Sequence, residues 1–424
     1  MIYFQTGSES TSLSQNDLEM GLYSALAKLG ERKKVLVVPP DCTRFHSRAG
    51  DITTLIYNYY RENLKDILPA LGTHTPMSGK EIEEMFRGVP KDLFRVHDWR
   101  NDVVTIGTVP GKFVSEITNG TLDYDWPAQL NKLVFKGGHD LILSVGQVVP
   151  HEVIGMANYN KNLLIGTGGP EGINKSHFVG AVYGMERIMG KAENPVRSLL
   201  NKAASEFMYH LPVVYIQTVI GRDHSGKLVI RGLYIGDDIE VFKLASELSV
   251  KVNFTMVEKP LSKVVVYLDP SEYRSTWLGN KSIYRTRMAM ADKGELIVLA
   301  PGLKEFGEDK EIDRLIRKYG YRGTPATLKS LNENEELRNN LSAAAHLIHG
   351  SSEGRFSITY CPGKLSKEEI ESVNFRYTDL SEMIKKYDPG KLKDGFNTLA
   401  DGEEIFYISN PALGLWASKD KVEK

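Results

Sequence analysis

KVLVVPPDCTR, Lys34 to Arg44, carries the reading of the fold. Its apolar run is continuous and of strand length, which suits a strand covered on both faces, as in a parallel sheet flanked by helices. It ends in DCTR, polar residues at a strand's carboxyl end. Helical spacing follows through ITTLIYNYYREN, and the short apolar stretch ILPALG runs into GTHTPM. Ser78 and Glu81 form an S-x-x-E capping box that opens the helix SGKEIEEMF. FRVHDW and VVTIGTV read as strands, and NGT between them and the next strand marks a hairpin or an extended excursion. HDLILSVGQVVP is a second buried-type strand, and it leads directly into His151.

Further on, FVGAVYGMERIM and VRSLLNKAASEFMY have helical spacing, and PVVYIQTVIG and KLVIRGLYIG are strands joined by RDHSGK. A helix through IEVFKLASELSV and a strand VNFTMV close this half. Near Pro260 the alternation starts again, with VVVYLD, a helical KSIYRTRMAMADK, ELIVLAPG and EIDRLIRKYG. A long helical stretch from Pro325 to His349 precedes SITYCPG, EEIESVNF, LSEMIKKY and EEIFYIS. The expected class is α/β: two α/β domains with mostly parallel sheets, residues 1–259 and 260–424. Ligands of open α/β sheets sit beyond the carboxyl ends of the strands. That rule selects Asp41 and Arg44, His74, His97 and Asp98, and His151.

The totals exclude several classes. The chain has 424 residues, 41% hydrophobic and 25% charged, with a net charge of -1. It carries no basic footprint for nucleic acid and no repeat of a scaffold protein. Cys42 and Cys361 are its only cysteines, too few for a disulfide framework or a cysteine-rich zinc site, and they fit a reducing cytoplasm. MIYFQTGSESTSLSQ lacks the features of a signal peptide, and no apolar run approaches the ~18 residues of a membrane span. A cytoplasmic protein with no membrane partner is expected.

Chemistry concentrates in PHEVIGMANYNKNLLIGTGGPEGINKSHF, Pro150 to Phe178. It sets His151, Lys161 and His177 around an apolar NLLIG, read as a strand, and a glycine-rich turn. Gly166, Gly168 and Gly169 would allow positive φ and close backbone approach to a ligand. GTGGPEG is not a phosphate loop of the Walker type, since no Lys-Ser/Thr follows its last glycine. In DCTR the arginine can grip a carboxylate or phosphate while the aspartate holds that arginine or a hydroxyl; a structural ion pair is the plainer reading. His74 can exchange a proton near neutrality. His97 reads as a satisfied partner of Asp98 under Trp99. His46 and His139 have weak claims, and His210, His224, His346 and His349 read as structural.

DCTR, GTHTPM, HDW and PHEVIG followed by Lys161 occur in the order in which they appear in the nickel-pincer lactate racemase family, which the chain resembles over most of its length. The resemblance implies nickel held by a pyridinium-3,5-bisthiocarboxylic acid mononucleotide joined covalently to Lys161, with His177 as the metal's protein ligand. It implies His74 and His151 as the acid/base pair, and Asp41 and Arg44 as residues orienting substrate or cofactor. It further implies a 2-hydroxy acid substrate, maturation by cofactor-biosynthesis enzymes, and an active site in the cleft that the C-terminal domain closes. The family's S-G-G-R-K before the anchor is replaced by NYNK. Where a glutamine and a lysine are expected in the second domain the chain reads SIYRTRMAM, so Tyr284, Arg285 and Arg287 become the substrate-binding candidates. This more polar set points to an aldonic sugar acid such as gluconate, or to malate, rather than lactate. The alternatives are a metal-dependent hydrolase or lyase using His74, His151 and His177, and a non-catalytic relative that binds cofactor or hydroxy acid.

Overall fold

Val35–Val38 is a strand with all four residues buried, as its unbroken apolar run requires. In this computed structural model, which describes residues 1–422, it lies inside a six-stranded sheet. The order from one edge is Ile2–Gly7, Leu228–Gly236, Val213–Arg222, Leu141–Gln147, Val35–Val38 and Leu64–Ile67. The last four strands are parallel, and the first two add to them antiparallel. From Val35–Val38 the chain moves outward to Leu64–Ile67. It then returns past its starting strand to Leu141–Gln147 and continues away on the other side. Winding therefore reverses between the Val35 and Leu141 strands, and a crevice opens beyond their carboxyl ends.

This sheet belongs to a unit made of Met1–Gly180 and Arg187–Asn253. Helices Gln15–Leu29 and Ala49–Tyr60 cover one face, and Leu22, Leu26, Ile52 and Ile56 pack with Val35, Val37, Leu143 and Ile216 in one core cluster. Each such side chain contributes ~1.5–3 kcal/mol by leaving water. Both halves of the expected Ser78–Glu81 capping box are formed, at helix Gly79–Met85.

Two local expectations are corrected. NLLIG is not a strand: Asn160–Leu164 is a short helix with Leu163 and Leu164 buried. A short apolar run satisfies either geometry, and here Ile165 N–H closes the turn on Lys161 O. FRVHDW is not a strand beyond one bridge between Phe94 and Ile67. Its histidine turns inward, with His97 Nε2 3.1 Å from Gly168 O and Nδ1 2.9 Å from Asn131 Nδ2. The imidazole is thus satisfied, but by Asn131 and a carbonyl, while Asp98 caps the turn that follows.

The second unit comprises Ala181–Glu186 and the chain from Phe254 onward. Its sheet runs Arg376–Tyr377, Ser357–Pro362, Met290–Ala300, Leu261–Tyr267, Glu404–Ile408 and Gly395–Thr398, parallel except at the last pair. Both units are thus α/β with mostly parallel sheets, as expected. The helical reading of KSIYRTRMAMADK stops short: the helix is Lys281–Thr286, and Met290 already pairs with Leu261 in the sheet. The long stretch to His349 divides into Thr324–Glu333, Glu335–Arg338 and Leu341–His349, broken at asparagines, which favour caps over helix interiors. Among the described residues no helix is long and apolar enough to cross a membrane.

His346 sits buried in this unit, its Nδ1 2.8 Å from Tyr284 Oη and its Nε2 3.0 Å from Tyr321 Oη. Burial, with His349 nearby, holds its pKa down at about 3. The unfolded chain would take up this proton near the ordinary value of 6.5. Between those values the unfolded state binds more protons, so stability falls as the pH falls through the window. Acidification from pH 7 to pH 4.5 is expected to remove about 3 kcal/mol through this group. Urea unfolding of the wild type and His346→Phe at both pH values checks this. Equal pH dependence in the two proteins would place the acid lability elsewhere.

Candidate active site

Beyond the carboxyl ends of the Val35, Leu64 and Leu141 strands lies a cavity of about 230 Å³ in the first unit. Its walls include Asp41, Arg44, His74, His151, Lys161 and His177. Residues spread over more than a hundred positions converge because parallel strands deliver their following loops to one end of the sheet.

Asp41 caps the short helix Cys42–Ser47, its Oδ1 accepting from Thr43 N–H at 3.1 Å. Its Oδ2 lies 2.6 Å from His74 Nδ1. Burial pushes the Asp41 carboxyl up, but the hydrogen bonds from His74 and Thr43 outweigh it and hold the group below the usual carboxylate range. An ionised Asp41 requires the proton on His74 Nδ1, which leaves Nε2 as a proton acceptor.

Lys161 is reached through two consecutive residues with left-handed backbone, Asn158 (φ 67) and Tyr159 (φ 58). Such a turn needs support, and Arg197 provides it. Its buried guanidinium donates to Met156 O and Asn160 Oδ1, each at 2.6 Å, and its charged end stands 4.3 Å from the Phe242 ring centre. Asn162 anchors the other side of Lys161, its Nδ2 donating to Val38 O and Ser144 Oγ, both at 3.0 Å. That one amide straddles the two strands between which the winding reverses. Burial, reinforced by the Arg44 and Arg197 charges, brings the Lys161 amine down to about 8.

His177 lies on helix Pro170–Tyr183 with Nδ1 2.8 Å from Ile173 O, so Nδ1 carries hydrogen and Nε2 keeps a lone pair. Burial and the Lys161 charge hold it at about 4, neutral at ordinary pH. His151 has the opposite tautomer: its Nδ1 accepts from Val153 N–H at 3.1 Å, which places the neutral ring's hydrogen on Nε2. Burial holds its pKa well below the usual value. The cavity thus holds one imidazole acceptor on a carboxylate, one neutral imidazole donor, one bare lone pair and one partly neutral amine.

The glycine-rich turn has a different purpose from the one expected. None of Gly166, Gly168 and Gly169 has positive φ. A Cβ would instead run into Asn162 O at Gly166, Leu164 O at Gly168 and the Gln129 side chain at Gly169. These glycines let the chain pack against itself. His139 is buried 2.9 Å from Asp66, a structural pair. Asn162 and Arg197 were not selected from the sequence; the asparagine-rich ANYNKN was the only local signal, and nothing marked Arg197 among the helical arginines.

The second-unit candidates divide. Arg287 is buried, with Nε 3.1 Å from Glu186 and Nη1 3.2 Å from the carbonyls of His349 and Ser351. Its Nε and Nη1 donors are thus engaged within the unit. The Tyr284 hydroxyl is engaged with His346. Arg285 keeps a buried Nε without a hydrogen-bond partner among the described residues. Among the described residues no group of three or more His, Cys, Asp or Glu is placed to hold a metal, so His74, His151 and His177 do not form a three-imidazole centre.

Residues 20–188 match the family model of the lactate racemase N-terminal domain. Among solved structures, the chain is similar to a crystal structure of a protein from Thermotoga maritima, at 26% identity over 98% of this chain and 100% of that one, with a TM-score of 0.77. It is also similar to the lactate racemase apoprotein from Thermoanaerobacterium thermosaccharolyticum, at 18% identity over 96% and 93% of the two chains, TM-score 0.70, a likeness of fold. A comparison with curated proteins finds no match. Asp41, Arg44, His74, His151, Lys161 and His177 all fall inside the matched segment, so this part of the chain is similar to the lactate racemase N-terminal domain.

Proposed function

We propose that the chain inverts C2 of a 2-hydroxy acid, as a racemase or epimerase using a nickel-pincer cofactor anchored at Lys161. The observation that carries this reading is the convergence of the six residues on one cavity with complementary proton states. The residues suit the cofactor. His177 spends its Nδ1 hydrogen on Ile173 O and keeps the Nε2 lone pair a metal needs, and imidazole is a good nickel ligand. The Lys161 amine, at about 8, is a competent nucleophile for a covalent anchor. The cavity of about 230 Å³ has room for the reactive end of the group.

When bound, the cofactor supplies the hydride acceptor and donor for C2, chemistry that no side chain of the cavity offers. The chain's own residues bind and move protons. Arg44 grips the substrate carboxylate and keeps C2 in place. His74 Nε2, supported by Asp41, takes the proton of the 2-hydroxyl. His151, neutral and carrying hydrogen on Nε2, faces the same group as a proton donor. A centre inverted through a planar 2-keto acid needs acid/base groups on both sides, and two imidazoles of opposite tautomer meet that need. The substrate is a larger polar acid, an aldonic acid such as gluconate or else malate.

Proton NMR in D2O tests the reading, with protein matured by the cofactor-making enzymes and offered gluconate, malate and lactate separately. The expected result is inversion of a polar acid, mannonate from gluconate for example, with protium retained at C2. Deuterium at C2 would replace hydride return by proton abstraction. No inversion of any acid by protein whose Lys161 is modified would turn the reading toward a non-catalytic binding relative.

A further inference from the structure

One group of cavity residues has no part in that chemistry. Asn158 lines the cavity, and both its Oδ1 and Nδ2 are buried without a hydrogen-bond partner among the described residues. Gln217 is fully buried, and both atoms of its amide are equally unpartnered. The sheet brings the two together. Gly146 and Gln217 are register partners on adjacent parallel strands, so the Gln217 side chain leaves the sheet on the face of Gly146. Asn158 occupies that face: a Cβ at Gly146 would stand 3.3 Å from its Nδ2.

A buried amide donor or acceptor left unmet is costly, so such a group signals something that meets it when the cavity is filled. An amide presents a donor and an acceptor side by side. A hydroxyl, which donates and accepts, satisfies both; a carboxylate would set its oxygens against the amide oxygen. We infer that Asn158, backed by Gln217, is a binding subsite for a neutral, hydroxyl-bearing chain. The vicinal hydroxyls come either from a polyhydroxy acid substrate or from the ribose of a mononucleotide. The inference rests on the proposed function, and within it favours an aldonic acid over malate, whose second carboxylate finds no complement here.

The test is calorimetric titration of the full chain with Lys161 unmodified, using gluconate, nicotinic acid mononucleotide and lactate as separate probes. Asn158→Gly is the variant, since glycine accepts φ 67 and removes only the amide. Asn158→Asp, which keeps the shape and exchanges donor for charge, is the second. The wild type is expected to bind at least one hydroxyl-rich probe about tenfold more tightly than lactate, the worth of one well-made hydrogen bond. Both variants are expected to lose that preference while binding lactate within about twofold of wild type. Loss confined to gluconate assigns the subsite to the substrate chain, and loss confined to the mononucleotide assigns it to the cofactor's ribose. Variants that keep wild-type affinity for both probes would overturn the inference, leaving the amides to water and the hydroxy-acid reading intact. A wild type that binds none of the three would overturn both.

Discussion

Lys161→Arg is expected to leave the chain folded and to abolish covalent loading, so that after maturation the intact mass gains the cofactor in the wild type and nothing in the variant. The argument is one of protonation. An amine with its pKa at about 8 is neutral in roughly a quarter of molecules at pH 7.5, against about one in a thousand for an ordinary lysine. Arginine keeps the positive charge that balances Asp41 and Glu152 nearby, yet it never offers a neutral nucleophile. Inversion of C2 should accordingly fall to background. The measurement separates two causes of failure. A variant that melts like the wild type but does not gain mass identifies Lys161 as the attachment point. A variant that gains mass at another lysine would refute that assignment.

The second large effect is expected at the Asp41–His74 pair. His74→Gln should lower kcat for inversion by about 10²–10⁴-fold, the range that positioned proton transfer contributes, with a much smaller change in KM. Asp41→Asn should reduce kcat by a comparable factor. An amide in place of the carboxylate can face His74 with its nitrogen, which moves the ring hydrogen to Nε2 and removes the acceptor while leaving the ring itself in place. His151→Gln is expected to resemble His74→Gln in size. On the proposed mechanism the two imidazoles serve opposite sides of C2, so the single variants should differ in which enantiomer of a simple 2-hydroxy acid they process faster in a single turnover. Steady-state and single-turnover rates for both enantiomers check this. If His74→Gln and His151→Gln slow both enantiomers equally, the two rings do not divide the work by face.

That these residues line one cavity was legible in the sequence because of topology. Once VLVV and LILSV are read as parallel strands, the residues just after them, Asp41, Arg44 and His151, must gather at one end of the sheet, and His74 follows the short strand beside them. The proton states were not legible. They depend on single backbone atoms, Ile173 O for His177 and Val153 N–H for His151, that no spacing rule points to. NLLIG reads as a strand in sequence because three consecutive apolar residues fit a strand and a buried helical turn equally well. The glycines of GTGGPEG were chosen correctly as special positions and given the wrong reason, since glycine required by a neighbouring carbonyl looks the same in sequence as glycine required by positive φ. In the second unit, Arg285 lies in the short helix Lys281–Thr286 and Arg287 just past its end. Only the structure tells the arginine committed to Glu186 from the one with an unengaged nitrogen.

The Asn162 amide, bridging Val38 O and Ser144 Oγ, has a consequence for how the protein fails. It fastens a segment that carries His151, Lys161 and His177 in one continuous length of chain. Such a segment opens as a unit, with a free energy below that of global unfolding when few bonds hold it down. The three groups then leave the cavity together. A damaged molecule would be catalytically silent while the strands beneath it remained intact, and re-closing that one latch would restore the whole set at once.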